Sequence, residues 1–558
     1  MAADPPAEDI VLKALGDELK RSLTLHLEDL DTPYFIQYAV DDTVTYRIEA
    51  THGALVSSDQ DRFRMLYSQV RVGSHELDNS NFAGRGGFGA RRGLSASAEL
   101  PTDDDYLALR HAIWLATDAQ YKDAVEALTQ KRAYLRDRTI EDRPRDFTQA
   151  DAVTAIKERV KGSFDRAAWE DYVRRISARF GEFKHLQRSA VNLTAGTEDR
   201  YLVNSEGSRL RYGDSGALLR ITAETQAEDG QRLSDQLDYV AAKPEELPAV
   251  PDVLADVQKL ADRLAAAIKA PVLEDYTGPV LLDGVGSAQF FRQLLARGLA
   301  GQVDPVGSQR REAPSTENLE SRAGKRILPV TFQVYDDPRQ DKFQGRVLAG
   351  HYLFDDEGIA AQRVELVVDG KLEDMVMSRA PTKLFTKSNG HGRRSGGDSP
   401  RAAVGCLYIE STKGLSPDEL KKELIDAADA EGLKYGLRIT AVQGRAGGGG
   451  GPGGGGFRRG GGAGFARSVG DPIAVYKVFV ADGHEELVRG CEFSSIDVRT
   501  LRRIIAAGNV QSVHNNVGGG SPASSVIAPA VLFEELELTR IKQETEKRPI
   551  IEAPHARK

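Results

Sequence analysis

Hydrophobic and polar positions along the chain follow two different periods, which predicts a protein built from both helices and strands. At Leu219–Glu224, apolar and polar residues alternate strictly, the pattern of a half-buried strand. The elements predicted for the first 245 residues are helices at Leu12–Leu27, Asp103–Arg136 and Phe164–Phe180, a strand pair at Pro33–Ala50, a strand at Phe63–Val72, and further strands over 185–226. These elements predict an N-terminal α/β domain at residues 1–245.

A long amphipathic helix is predicted to link this domain to a second one. Pro248 and Pro251 stand at its start and Pro271 closes it. Its apolar stripe consists of Val253, Val257, Leu260, Leu264 and Ile268. We therefore expect a linking helix at 246–275 and a β-rich C-terminal domain at 276–558, so the predicted fold class is α+β.

Turn signals support the β-rich assignment of the C-terminal domain. Asp369-Gly370 and Asp482-Gly483 each follow an apolar run, which is a strong signal for a β-hairpin. One helix is clearly marked in this domain, because Ser416-Pro417-Asp418-Glu419 is a capping box and Gly432 is a stop signal.

Residues 286–302 form a short helix in this prediction, directly after an apolar strand at Val280–Leu282. Ser287 is expected to cap this helix and Gly298 to end it. At 100° per residue, Phe290, Phe291, Leu294 and Leu295 share one face, and the opposite face carries Arg292, Gln293, Ala296 and Arg297. Taken alone, the pattern predicts an amphipathic surface helix whose arginines make ion pairs.

Composition and charge limit the classes of function. The net charge of −9 argues against a general nucleic-acid binder. No apolar run approaches the about 18 residues of a membrane span, so no membrane contact is expected. Cys406 and Cys491 are too few for a disulfide framework and are expected to be buried. The start of the chain shows no signal peptide, so we expect a cytoplasmic protein, or a periplasmic one if a signal was removed before residue 1.

Several segments, taken in order, resemble the TldD/PmbA family, the "modulator of DNA gyrase" family of peptidases. The matching segments are Asn204–Gly207, Asp355–Gly358, the Asn389–Arg394 stretch that resembles an NG-x-RR element, and Ala528–Leu536. The resemblance implies a barrel-like C-terminal domain, a dimer, and a cleft that takes extended, unfolded peptides. It makes Asn389, Arg393 and Arg394 candidate peptide-binding residues.

Active members of the family carry HExxxH, and this chain does not. The resemblance places Arg292 at the position of the first His, Gln293 at that of the Glu and Arg297 at that of the second His. A guanidinium has no lone pair to give a metal and stays charged, and an amide cannot serve as a general base. The family's Cys ligand is also absent from Val517–Ser521. We therefore expect no catalytic residue, no metal and no cofactor.

Two readings of function follow from this loss of ligands. The first is a non-catalytic protein that binds peptides or supports an active partner, as a homodimer or as a heterodimer with a TldD/PmbA-family protein. In it, Arg292, Gln293 and Arg297 face the cleft, where the arginines hold a carboxylate. The alternative is an active peptidase that uses a non-standard site. A metal site formed by His351, His391 and His514, or acid–base work by Asp355–Glu357, would belong to that alternative.

Two Gly/Arg-rich stretches stand apart from the predicted elements. The longer one, at 444–465, has too little apolar area to offset the ordering of its backbone, so it is expected to be a mobile loop. The shorter one is Gly84–Gly93. Single-stranded nucleic acid could bind such stretches, but the acidic pI of 5.7 argues against it.

Overall fold

A computed structural model describes residues 9–25, 30–83, 96–138, 140, 142–307, 318–396, 399–443, 469–518 and 521–541. Both Gly/Arg-rich stretches, including the loop predicted at 444–465, lie outside these residues. The α-helices of the described part are α1 (Ile10–Ser22), α2 (Tyr106–Arg136), α3 (Arg166–Ala178), α4 (Val250–Lys269), α5 (Gly284–Phe291) and α6 (Pro417–Ala430). None of the helices described is long and apolar enough to span a bilayer.

The strands that precede α4 form one sheet. They are β1 (Pro33–Thr51), β2 (Ala54–Val72), β3 (Ala96–Leu100), β4 (Thr154–Ile156), β5 (Arg188–Asn204), β6 (Arg209–Gln226) and β7 (Arg232–Ala241). Their order is β3-β2-β1-β5-β6-β4, and β7 pairs with β6 beside β4. The predicted strand pair at Pro33–Ala50 is wrong, because β1 runs straight through it and its hairpin partner is β2.

The two faces of this N-terminal sheet have different neighbours. On one face, Ile36, Tyr38 and Val40 pack with α1 and α2. Further along the same face, Ile48 and Ala50 pack with α3 and α4. Side chains alternate along a strand, so the intervening residues of β1 point to the other face, which meets the C-terminal half. The predicted stripe of α4 is thus buried against the N-terminal sheet.

The described part of the C-terminal half contains one large sheet of eleven strands and two small sheets of two strands each. The strands are β8 (Tyr276–Leu282), β9 (Phe332–Asp336), β10 (Lys342–Phe343), β11 (Arg346–Val347), β12 (Val364–Val368), β13 (Lys371–Leu372), β14 (Gly392–Arg393), β15 (Arg401–Ala402), β16 (Cys406–Ser411), β17 (Tyr435–Val442), β18 (Pro472–Phe479), β19 (Glu485–Val488), β20 (Cys491–Phe493), β21 (Ile504–Asn516) and β22 (Ser524–Arg540). The order in the large sheet is β13-β12-β9-β16-β22-β8-β17-β18-β19, and β20 and β21 also pair with β22. In the two small sheets, β10 pairs with β11 and β14 pairs with β15.

Both sheets and the helices confirm the α+β class, but the barrel-like expectation needs correction. In the described residues β13 and β19 are the ends of the order and do not pair with each other, so this sheet is open. Its long strand β22 is buried along most of its length, with α5 on one face and α6 on the other. The predicted hairpins at Asp369-Gly370 and Asp482-Gly483 and the capping box at Ser416 are confirmed.

Candidate functional site

Helix α5, which follows β8, begins earlier than the sequence predicts. Its N-cap is Asp283, whose carboxylate accepts a hydrogen bond from the Gly284 amide at 2.7 Å. Ser287, the predicted cap, is instead buried, and its hydroxyl donates to the Pro529 carbonyl of β22 at 2.6 Å. An acidic cap suits the positive end of a helix, and Ser287 is thereby left to fasten α5 to the sheet.

The helix continues from α5 into a π turn at Arg292–Ala296, directly over the positions of the family's metal motif. The surface helix predicted here is wrong, because Gln293, Leu294, Leu295 and Ala296 are all buried. A π turn bonds residues five apart, so it brings Arg292 and Arg297 toward the same side of the helix. Such turns are rare and are found frequently at functional sites.

Arg292 is a half-buried cation for which the described residues supply no counter-charge. Its Nε is buried and has no hydrogen-bond partner, and in the part of the chain that the structure describes Arg292 makes no ion pair. Burial and the neighbouring positive charge of Arg297 both lower the pKa of Arg292. The ion pair considered for this residue is therefore not formed, whereas Arg297 is exposed.

His514 on β21 lies next to this arginine. Burial, and then the charge of Arg292, lower the pKa of His514 to about 4, so its imidazole is neutral at physiological pH. The negative charge of Asp238, on β7 in the N-terminal half, acts to raise the pKa of His514. Asp238 is already held by Arg220, with two contacts at 2.9 Å. The π turn thus lies near the junction of the two halves.

Gln293 differs from the two arginines because its amide is fully used inside the protein. Its Nε2 donates to the Gln443 carbonyl at 3.1 Å, and its Oε1 accepts from the Gly470 amide at 2.9 Å. These two partners stand at the end of β17 and just before β18. A Cβ on Gly470 would lie 2.2 Å from the Gln443 carbonyl, so this close approach requires glycine. Gln293 fastens the base of the β17–β18 connection to the π turn.

Zinc, which the resemblance implies, does not fit these side chains. The amide of Gln293 is committed to two backbone groups, and the guanidinium of Arg292 can only donate. Among the described residues, His514 is the one imidazole beside them, and a single neutral nitrogen is far short of the three or four ligands that a zinc site uses. No step of zinc chemistry can be assigned to this turn.

The Asn389–Arg394 stretch lies at the interface of the two halves and makes intramolecular contacts. The side chain of Asn389 binds the backbone of the segment Met375–Met377. Its Nδ2 donates to the Met375 carbonyl at 2.8 Å, and its Oδ1 accepts from the Met377 amide at 2.7 Å. Gly390 has a φ of +75°, and a Cβ there would lie 2.3 Å from the Ala360 carbonyl. This position therefore requires glycine.

Arg393 and Arg394 converge on one carboxylate of the acidic turn. The Nε atoms of both lie 3.6 Å from Asp356, which also accepts the Arg394 amide at 2.8 Å. Burial alone would raise the pKa of Asp356, but these arginine charges outweigh it and lower that pKa. Nη2 of Arg394 also donates to both carboxylate oxygens of Asp41 on β1, at 2.6 Å. The peptide-binding role of Asn389, Arg393 and Arg394 stays a prediction.

The rest of the acidic turn is also tied to backbone groups. Asp355 accepts the amides of Glu357, Ile359 and Gly392, and burial together with the Glu357 charge raises the pKa of Asp355 to about 8. Glu357 accepts the Arg379 amide at 2.6 Å. Arg379 is fully buried and bonds Thr148 and Glu206 of the N-terminal half. Arg363, which follows the turn in sequence, pairs with Glu365.

The histidines considered as a metal site do not come together. His391 is fully buried against Asp336, at 3.1 Å, whereas His351 bonds the Pro338 carbonyl and His514 lies by the π turn. No cluster of three or more His, Cys, Asp or Glu side chains suited to a metal occurs among the residues described. Cys406 and Cys491 are buried, as expected, and not paired with each other.

Sequence reasoning missed Asp41, Arg379 and Arg200, whose Nη1 lies 4.0 Å from Asp356, as parts of this network. Each lies far along the chain from its partners, and Arg394 and Asp41 are 353 positions apart. A buried arginine leaves no local signal in a sequence, because charged residues are expected at the surface. His514 was considered only as a metal ligand.

Comparison with known proteins agrees with this architecture. Residues 277–540 match the family described as "PmbA/TldA metallopeptidase C-terminal domain". This match places residues 277–540 in the TldD/PmbA family. A metalloprotease of Archaeoglobus fulgidus is 30% identical over 118 residues, and one of Methanothermobacter thermautotrophicus is 30% identical over 119 residues. Each match spans 21% of this chain and about a quarter of the relative, 26% and 25% respectively.

Solved structures of TldD/PmbA-like fold cover nearly the whole chain. TldE of Thermococcus kodakarensis is 13% identical with a TM-score of 0.58, over 94% of this chain and 100% of that one. A proposed modulator of a DNA gyrase from Thermotoga maritima is 15% identical with a TM-score of 0.56, over 90% and 96%. At these identities the likeness concerns the fold.

Proposed function

We propose that this chain is a non-catalytic TldD/PmbA protein that binds extended peptides or supports an active partner. The observation that carries the proposal is the donor set at the metal-motif positions. Arg292 and Arg297 replace two imidazoles by groups that repel a cation, and Gln293 is committed to the backbone. Neither metal binding nor general-base chemistry is available from these side chains.

A peptide site at the junction of the two halves is supported by the edge of the N-terminal sheet. Strand β7 has β6 as its one hydrogen-bonded neighbour among the described strands, so one row of its backbone groups can accept a further strand. The charge of Asp238 on β7 raises the pKa of His514, which supports placing this edge on the side of the π turn. Main-chain pairing tolerates many sequences and suits unfolded peptides.

The partner is proposed to be a second copy of this chain or another TldD/PmbA-family protein. An active peptidase with a non-standard site is less well supported, because no cluster suited to a metal occurs among the described residues and the pair of His391 and Asp336 is fully buried. A substrate cannot reach a pair without solvent contact.

The test measures metal, cleavage and binding on the same purified protein. We expect no stoichiometric zinc by elemental analysis, no cleavage of a panel of unfolded peptides with or without added Zn²⁺, and measurable binding of these peptides by calorimetry. A family member that carries HExxxH is the positive control for metal and cleavage. Cleavage by this chain, or zinc that is lost in Arg292→Ala, would overturn the non-catalytic assignment.

A further inference from the structure

We propose that the outer face of α2 is a docking surface for a second copy of this chain, with the two α2 helices packed antiparallel across a two-fold axis. The inference rests on the proposed function, because it names the surface through which one of the two proposed partners, an identical chain, binds. It uses no residue of the π turn or of the Asn389–Arg394 stretch.

The first argument is that α2 carries apolar side chains on two opposite faces. Its inner face, which includes Leu109 and Ile113, packs with α1 and the N-terminal sheet. On the outer face, Leu107 is 72% exposed, Leu115 is 56% exposed and Trp114 is 39% exposed. The outer face of a helix that packs on a single core is normally polar. These residues therefore indicate a contact beyond the described part of the chain.

The second argument is the shape of this outer face. Its residues recur at the spacing of one helical face and form a continuous stripe, which consists of Leu107, His111, Trp114, Leu115, Asp118, Ala119 and Lys122. The rings of His111 and Trp114 lie 5.5 Å apart. A shallow depression of about 250 Å³ between α1 and α2 borders the stripe, lined by Glu18, Arg21, Leu107, Arg110, His111 and Trp114. A large side chain of a second copy can enter this depression.

The third argument is that the stripe is complementary to itself when two copies run antiparallel. With the two-fold axis between Trp114 and Leu115, each of these residues meets the other one on the second copy. The same register places His111 opposite Asp118 of the second copy. Asp118 bonds Lys122 of its own helix through Oδ2, at 2.6 Å, and a carboxylate can accept from a further donor through its other oxygen.

The fourth argument is the charge at the two ends of the stripe. The end near Leu107 is net positive, because Arg110 and Arg21 share the single carboxylate of Glu18, with Nη2 of Arg110 at 3.0 Å from it. The other end is net negative, because three carboxylates outnumber one ammonium group, in the set Asp118, Lys122, Asp123 and Glu126. Antiparallel packing brings opposite charges together, whereas parallel packing would bring like charges together. The surface therefore fits an identical chain in one orientation.

The test measures the mass of the full chain by light scattering after size exclusion. We expect twice the 60.8 kDa of one chain at micromolar concentration. Leu115→Asp puts two carboxylates beside the axis and should give the mass of a single chain, with an unchanged circular dichroism spectrum. Leu384→Asp is the matched control, because it makes the same change at a leucine that is 61% exposed in the C-terminal half, and it should leave the mass unchanged.

An exchange of charges tests the antiparallel register. His111→Asp places a carboxylate opposite Asp118 of the second copy, so it should weaken the dimer by about tenfold or more in sedimentation experiments. Adding Asp118→Lys restores opposite charges across the axis. The double variant should therefore regain most of the lost affinity.

Each other outcome has a defined meaning. A wild-type chain with the mass of one copy would overturn the docking surface, while the metal, cleavage and peptide-binding measurements would decide the proposed function separately. A dimer that Leu115→Asp leaves intact would overturn the assignment of the interface to α2. A double variant as weak as His111→Asp would overturn the antiparallel register. A monomeric wild type that melts at a higher temperature than Leu115→Asp would show that a segment of the same chain covers this face instead.

Discussion

At the scale of single residues, Arg292 is the side chain whose presence folding does not explain. A half-buried cation that has no partner among the described residues and lies beside another cation destabilises the folded state. We predict that Arg292→Met raises the free energy of unfolding by about 1 kcal/mol, because methionine fills the space without a charge. Urea denaturation measures it, with Arg503→Met as the exposed control that should change stability by less than about 0.5 kcal/mol. A loss of stability in Arg292→Met would indicate a structural role.

His514 makes a separate prediction about pH. Its folded-state pKa of about 4 lies below the ordinary value of 6.5, so above pH 6.5 it is neutral in both states and contributes nothing. As pH falls from 6.5 to 4, the unfolded chain binds a proton that the folded chain refuses, and the free energy of unfolding falls by up to about 3 kcal/mol. His514→Gln should therefore lose less stability than the wild type between pH 7 and pH 4.5 in urea titrations. Equal losses of stability in the wild type and in His514→Gln over this pH range would contradict the lowered pKa of His514.

At the scale of elements, the π turn and the β17–β18 connection are held together by one amide. We predict that Gln293→Glu lowers the free energy of unfolding by about 1–3 kcal/mol, because a carboxylate oxygen would replace the donor that faces the Gln443 carbonyl. The same change at exposed Gln60 is the control, measured by the same denaturation, and it should stay within about 0.5 kcal/mol. Unchanged stability in Gln293→Glu would mean that the hydrogen bonds of Gln293 to Gln443 and Gly470 do not form.

At the scale of the whole molecule, buried charges join the two halves. Arg394 connects Asp356 of the C-terminal half to Asp41 of β1, and its side chain is only 8% exposed. Arg394→Met should lower the free energy of unfolding by about 3–5 kcal/mol, since it leaves the buried Asp41 without the guanidinium that is hydrogen-bonded to it. Chemical denaturation measures this loss against Arg503→Met.

The double variant Asp41→Leu with Arg394→Met tests whether the two residues act together. Replacing both partners removes the lone carboxylate. The double variant should therefore lose less free energy of unfolding than the two single variants lose in sum. Additive losses would contradict a direct coupling across the halves.

The sequence by itself determined those features that depend on neighbours along the chain. The capping box at Ser416, the Asp369-Gly370 hairpin and the stripe of α4 were all predicted and found, because each is fixed by contacts within a few residues. The loss of zinc donors is also a property of the sequence, since a guanidinium has no lone pair wherever it lies.

Only the tertiary structure decided what the substituted side chains contact. The period of an α-helix placed Gln293 with the arginines, but the π turn and the enclosing sheet buried it and left Arg292 without a partner. Likewise, no local pattern relates Arg394 to Asp41 or His514 to Arg292, because these pairs form only when distant strands pack together. Local interactions are encoded in spacing, whereas the partner of a buried charge depends on the arrangement of the whole chain.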